Sequence, residues 1–216
     1  MYNFHCHSLL SDGELLPSEV ARRFEVKGYK AIAITDHVDM ANIKRVVSEI
    51  VEFCQAWPKN RIKILPGIEL THIPPEQFKP LVKYARANGI KIIIGHGETV
   101  VEPVIKGTNK KAIESGIDIL AHPGMISSED VKLAKKHGVF LELTSRHGHC
   151  QTNEHVTKQA LKFGAKLIIN TDSHAPQDII TPDELKQIGL DAGLSNKEIE
   201  TVYNQETRFI QKLKIT

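Results

Sequence analysis

Seven short apolar runs recur along this chain, and amphipathic stretches with helical spacing fill the intervals between them. The runs cover 2–5, 30–35, 62–68, 90–95, 117–121, 138–143 and 166–170. They are rich in Ile, Val and Leu and bounded by Gly, Pro or Asp, as buried strands are. Helices are expected over 17–28, 42–56, 75–88, 108–115, 128–137, 153–163 and 182–192, with a last one near 195–212. Pro17 and Gly28 bracket the first, and Pro74-Pro75 and Gly89 bracket the third. Ser127-Ser128-Glu129-Asp130 reads as a helix start, and Gly138 follows the last turn of that helix. Strands alternating with helices imply a parallel sheet with right-handed crossovers. No Pro/Gly/Ser-rich linker or low-complexity tract divides residues 1–216, so one domain is expected.

Metal-type side chains sit just past these runs: His5 and His7, Asp12, His37, Glu69, His96, His122, Asp172 and His174. An open doubly wound sheet concentrates its site at one switch point. Here candidates follow nearly every strand, which favours a barrel, because its strand C-termini share one face. Imidazole and carboxylate are the ligands that hold Zn²⁺, Mn²⁺ or Fe²⁺, and nine such groups suggest two or three ions. Strand alternation sends His5 and His7 to one side and Cys6 to the other. Each motif has a plain alternative when taken alone. His5-Cys6-His7 is also what an exposed strand end carries, Asp12-Gly13 what a turn carries, and Glu69 what a solvated strand end carries. Gly95 and Gly97 beside His96 permit close backbone approach.

Composition narrows the classes further. With 216 residues, 41% hydrophobic and 25% charged, the chain can bury a large α/β core and disorder is not expected. A formal net charge of +2 gives no argument for nucleic acid or membrane surface. Three cysteines (Cys6, Cys54, Cys150) are too scattered for a disulfide framework, and Met1–His5 lacks a leader's basic start, so a cytoplasmic location is expected. No apolar run approaches the ~20 residues of a membrane helix.

The set His5-x-His7, Ser11-Asp12-Gly13, Thr35-Asp36-His37, Glu69, His96, His122-Pro123 and Asp172-Ser173-His174 resembles the PHP (polymerase and histidinol phosphatase) family in order, spacing and ligand type. The resemblance runs from Asn3 to at least His174. It implies a distorted (β/α)7 TIM-like barrel whose metal site lies at the C-terminal face of the strands. It also implies a trinuclear centre that hydrolyses phosphoesters. By this similarity His5, His7, Glu69 and Asp172 hold one ion. Glu69 bridges to a second, held by His96 and His122, and Asp12, His37 and His174 hold the third. Glu69 and Asp172 are the expected catalytic carboxylates. The leading expectation is hydrolysis of a small metabolite's phosphate monoester, histidinol-phosphatase-like, by a metal-bridging hydroxide. The general acid is left between Asp172 and a metal-bound water. Metal ions supply this chemistry by lowering the pKa of bound water to about 7 and by clamping phosphate oxygens.

Other readings stay open at this point. A nucleotide phosphatase or nuclease of the same family is the first; aromatics at 6% with one Trp disfavour a strand-binding groove. An amide or lactone hydrolase and a non-catalytic metal-binding domain come lower. Arg146 and His149, after the sixth run, are candidate substrate contacts, since a guanidinium matches phosphate geometry. Glu98 and Asp36 are candidates to orient ligands or to cap their segments. His72, His137 and His155 have no argument for the rim. Ile199, Val202, Phe209 and Ile210 of the last helix are expected to close the outer layer.

Overall fold

The computed structural model describes residues 1–213. Eight parallel strand segments run in chain order: β1 (Tyr2–Asn3), β2 (Ala31–Ile34), β3 (His37–Val38), β4 (Lys63–Leu70), β5 (Ile92–His96), β6 (Ile119–Ala121), β7 (Phe140–Thr144) and β8 (Lys166–Asn170). The helices are α1 (Pro17–Val26), α2 (Ile43–Ala56), α3 (Phe78–Ala87), α4 (Thr108–Glu114), α5 (Ser128–His137), α6 (Asn153–Phe163), α7 (Pro182–Asp191) and α8 (Asn196–Lys212). The second expected strand ends as β2, and after Thr35-Asp36 an additional short segment, β3, pairs with β4 beyond the end of β2. The sheet therefore has seven strand positions, ordered β1-β2-β4-β5-β6-β7-β8. The 75–88 stretch splits into a 3-10 turn, Pro75–Gln77, and α3.

Closure falls between β8 and β1, where two buried amides stand in for a regular ladder. Phe4 N donates to Asn170 Oδ1 at 2.8 Å, and Thr171 N donates to Asn3 Oδ1 at 2.8 Å. Backbone bonds then take over: Asp172 N to His5 O (3.0 Å) and His7 N to Ser173 O (2.9 Å). Cys6 and Ser173 form a parallel bridge at this seam. This is the distorted seven-position barrel that the sequence led us to expect.

Two apolar layers hold it. The larger lies between sheet and helices and includes Ile32, Ile34, Ile68, Ile93, Leu120, Leu141 and Ile169. The smaller fills the barrel's base with Phe4, Ala33, Leu65, Ile92, Ile94, Ile119, Ala121, Phe140 and Ile168. Period two along each strand then decides the rim. Leu65 is followed by Glu69 on the same face, Ile94 by His96, Phe140 by Glu142 and Ile168 by Asn170. The inward stripe is apolar at the base and polar at the top.

The last helix does more than close the outer layer. Ile199 and Val202 pack in that layer, but Phe209, Ile210 and Leu213 pack against the inner cluster. The Phe209 ring stands 5.7 Å from Phe4 and 5.1 Å from Phe140, centroid to centroid. The expectation for Phe209 and Ile210 is thereby corrected. The C-terminal turns of an amphipathic helix at the end of the chain plug the open base. Among the described residues no helix is long and apolar enough to cross a membrane.

Candidate metal centre

His5, His7, Glu69 and Asp172 meet at the top of the barrel, all buried. His5 Nε2 lies 3.3 Å from Glu69 Oε2 and 3.4 Å from Asp172 Oδ1. His7 Nε2 lies 3.6 and 3.2 Å from the same two oxygens. His122 Nε2 is 3.7 Å from Glu69 Oε1 and 3.7 Å from Asp172 Oδ2. On the outer side, Asp12 reaches His37 Nε2 (3.6 Å), His174 Nε2 (3.5 Å) and His7 Nδ1 (4.0 Å). Among the described residues four sets have ligand atoms within one ion's reach, and three of them lie in this cluster: His7/Asp12/His37/His174, His5/Glu69/His122 and His5/His7/Asp172. His96 stands beside them with its ring 4.4 Å from that of His122, but its Nε2 turns towards Glu102.

Among the described residues, several buried atoms of this cluster have no hydrogen-bond partner: His5 Nε2, both nitrogens of His7, both oxygens of Glu69, His122 Nδ1 and Asp172 Oδ1; His37 Nδ1 stands 2.9 Å from Glu69 Oε2, but its hydrogen bond goes to Thr71 Oγ1 at 2.6 Å. Leaving such groups unmet costs about 1–3 kcal/mol each, which a fold does not gather in one place without a ligand. Imidazole nitrogens and carboxylate oxygens are the donor set of Zn²⁺, Mn²⁺ and Fe²⁺, so the residues present fit such ions.

Electrostatics agree. Burial pulls His7 well below the ordinary imidazole range, and the neighbouring His37 and His174 push the same way. Burial likewise holds His122 low, as does the neighbouring His96. Both rings are therefore in the neutral form a metal needs. Burial also works against charge on His5, yet Glu142, Asp172 and Glu69 outweigh it and raise its pKa well above the usual value. Glu69 is buried too, but His5 and His37 hold it well below the carboxylate range. Asp172 is pushed up to about 6 by burial.

Local structure positions the set. His122 (φ 27°) and Asp172 (φ 51°) adopt a left-handed backbone that costs a non-glycine residue about 1–3 kcal/mol. At Gly13 a Cβ would meet the His7 carbonyl carbon at 2.6 Å, so only glycine lets the Asp12 loop fold back over His7. At Gly97 it would run into Ala121 O, so glycine there lets β5 and β6 end side by side. Asp36 accepts from Ser8 N (2.8 Å), Ser8 Oγ (2.7 Å) and Ser11 Oγ (2.7 Å), tying down the loop that carries Asp12.

Several residues escaped the sequence reading. Glu142 accepts from His5 Nδ1 (2.8 Å), Asn170 Nδ2 (2.9 Å) and His122 N (3.2 Å), and so fixes which His5 nitrogen faces the cluster. A charged residue inside the apolar run 138–143 was its signal. His72 had no argument for the rim, yet its ring stands 4.8 Å from that of His96. Glu102 joins both, and a loop residue of this kind leaves no periodic trace. Glu98 does not orient His96. Its Oε1 accepts from Gly107 N (2.9 Å) and Asn109 N (3.0 Å), closing the loop between them. Arg146 and His149 line the pocket of about 680 Å³ above the cluster. Arg146 pairs with Asp178 at 3.2 Å, and Asp178 also accepts from His174 N at 3.0 Å. His149 accepts from or donates to Thr99 Oγ1 at 2.8 Å.

Three comparisons bear on this arrangement. An uncharacterized protein of Methanocaldococcus jannaschii is 46% identical over 204 residues, 92% of this chain and 93% of that one. The DNA polymerase/3'-5' exonuclease PolX of Bacillus subtilis is 28% identical over 194 residues, 80% of this chain but 34% of the polymerase. The histidinol phosphate phosphatase of Lactococcus lactis, solved with zinc, L-histidinol and phosphate, superposes with a TM-score of 0.65 at 16% identity, covering 90% of this chain and 94% of that one; it shows the shared fold. Residues 3–171, from the first strand to the Asp172 seam, match the PHP domain family, and by that match the chain belongs to it.

Proposed function

We propose that this protein is a metal-dependent phosphomonoesterase acting on a small phosphorylated metabolite. The observation that carries the reading is the cluster of buried imidazole and carboxylate atoms with no hydrogen-bond partners beneath an open pocket. His5, His7, Glu69 and Asp172 would hold one divalent ion, His96 and His122 with Glu69 a second, and Asp12, His37 and His174 a third. When bound, such ions activate water and neutralise charge on transferring phosphate oxygens. Arg146 stands on the pocket wall where its guanidinium can fork onto a phosphate, with Asp178 fixing its direction. Glu69 and Asp172 are the carboxylates at the reacting centre. His149, which lines the same pocket, is a second substrate contact, and Thr99 orients its ring. The structural likeness to a histidinol phosphate phosphatase supports the small-metabolite end of the family.

One comparison favours a second reading. The relative named as a DNA polymerase/3'-5' exonuclease covers most of this chain. On that reading the leaving group is a nucleotide or the end of a strand. Phosphate release from a panel of sugar phosphates, histidinol phosphate, phosphoamino acids, nucleotides and short oligonucleotides, with Mn²⁺-loaded protein, separates the two. Release from one class of small monoester is the expected result. Release from nucleotides or oligonucleotides alone would move the assignment to the second reading, and none anywhere with ions bound would overturn both.

A further inference from the structure

His7 differs from the other imidazoles of the rim in how its ring is used. His5 Nδ1 lies 2.8 Å from Glu142 Oε1, His37 Nδ1 2.6 Å from Thr71 Oγ1, His96 Nδ1 3.1 Å from Gly97 O and His174 Nδ1 3.0 Å from Asp172 O. Each of these four commits one nitrogen to the chain and keeps Nε2 for an ion, the ordinary arrangement of a metal-binding histidine. His7 commits neither. Both of its nitrogens are buried, and among the described residues neither has a hydrogen-bond partner.

The two nitrogens of His7 face different carboxylates. Nε2 lies 3.2 Å from Asp172 Oδ1 and 3.6 Å from Glu69 Oε2, whereas Nδ1 lies 4.0 Å from Asp12 Oδ1. His122 Nδ1 is unpartnered as well, but His122 meets its carboxylates, Glu69 and Asp172, through Nε2. Around the Nδ1 edge of His7 stand two more imidazoles. The rings of His37 and His174 are each 4.1 Å from that of His7, and their Nε2 atoms approach Asp12 at 3.6 and 3.5 Å. Bonds of ~2.0–2.2 Å to one ion place its ligand atoms roughly 3–4 Å apart, and these separations fall in that range. His7 accordingly belongs to two ligand sets, one with Asp12, His37 and His174 and one with His5 and Asp172. His5 also belongs to two, but it faces Glu69 and Asp172 through Nε2 alone, because Glu142 holds its Nδ1.

We propose that His7 bridges two ions through its ring, with Nε2 on the inner ion beside His5 and Asp172 and Nδ1 on the outer ion beside Asp12, His37 and His174. A neutral imidazole carries a proton on one of its nitrogens. That proton leaves to solvent as the second ion takes the lone pair, so His7 serves as an imidazolate; metal binding releases ligand protons in this way. The outer ion then has three imidazole nitrogens and one carboxylate, a donor set suited to Zn²⁺, Mn²⁺ or Fe²⁺. The inference rests on the metal-dependent reading of the rim.

Anomalous scattering from crystals of the full chain grown with Zn²⁺ tests it, together with zinc titration of wild type, Asp12→Asn and His7→Gln. Asp12→Asn marks the outer class of zinc, because Asp12 belongs to that set alone. Glutamine at position 7 places its amide near the reach of Nε2 and nothing at Nδ1. Expected in the wild type is one zinc within ~2.0–2.2 Å of each ring nitrogen of His7. In His7→Gln the outer class should bind at least about tenfold more weakly, the effect of losing even a ligand's hydrogen-bonding partner, while the zinc beside His5 and Asp172 remains. Zinc on Nε2 with none at bonding distance from Nδ1 would overturn the bridge and leave the metal-dependent reading standing, and the wild-type crystals decide this even if a variant does not fold. Outer affinity unchanged in His7→Gln would overturn the bridge as well. Absence of zinc from both positions would overturn this inference together with the metal-dependent reading.

Discussion

The base and the rim of the barrel are built from the same strands, yet they answer opposite demands. At the base, inward residues such as Phe4, Ile92, Phe140 and Ile168 pack against one another and against Phe209 of α8. At the rim, the next inward residues along those strands are imidazoles, carboxylates and amides, several with buried atoms that no described residue satisfies. One end contributes stability through apolar burial. The other gives up stability to hold a binding site. The difference teaches that the fold can carry an unsatisfied rim because the base and the outer layer are closed without it.

The sharpest way to break this comparison is His7→Ala. Both ring nitrogens of His7 are buried and unpartnered, so the change removes a ligand and no structural hydrogen bond. Phosphate release in the panel assay should fall by at least about 10³-fold, as for groups that act as a unit, while the apo protein's melting temperature stays within a few degrees. Unchanged turnover would remove His7 from the site. Phe209→Ala is the mirror image. An enclosed Phe costs about 3–5 kcal/mol on truncation, and this ring is only partly enclosed, so urea denaturation should show a loss of about 2–3 kcal/mol. Zinc affinity of the folded fraction should not move; if it fell in step with stability, base and rim would not be separable.

Glu142→Gln probes the boundary between the two ends. Glu142 orients His5 and braces the His122 backbone, so zinc affinity should drop about 10–100-fold. Wild-type affinity in this variant would reduce Glu142 to a packing role. The smallest effect is expected at Glu206, buried on α8, where burial raises the carboxyl to about 8. The folded state there binds its proton more tightly than the unfolded chain does. Its stabilising contribution is therefore complete below the ordinary carboxylate pKa and is lost as pH rises through about 8. Glu206→Gln should flatten the fall in melting temperature between pH 5 and pH 9. A variant whose pH profile matched the wild type would remove Glu206 from the account.

Much of this was legible in the sequence because barrels write their rim into strand ends. Apolar runs located the strands to within about two residues, and the side chains after all of these runs but the sixth named the cluster. The second strand ends within a residue of its expected bound, and only the two-residue β3 after it, beyond the turn where Asp36 meets Ser8 and Ser11, had no apolar run to mark it. What stayed hidden depends on loops and on side-chain direction. Glu142 sits inside a strand, where only its charge marks it. His72 and Glu102 reach the pocket, and Asp178 reaches Arg146, by turns whose course no periodicity encodes. Arg146 was picked out for phosphate, but its Asp178 partner lies 32 residues away in sequence.

The most direct test of the central claim is phosphate release from a small monoester by protein first stripped with a chelator and then titrated with Mn²⁺. The account predicts no turnover after stripping and recovery that saturates as two or three ions bind around Glu69. Turnover that survives stripping, or none with those positions filled, would contradict it.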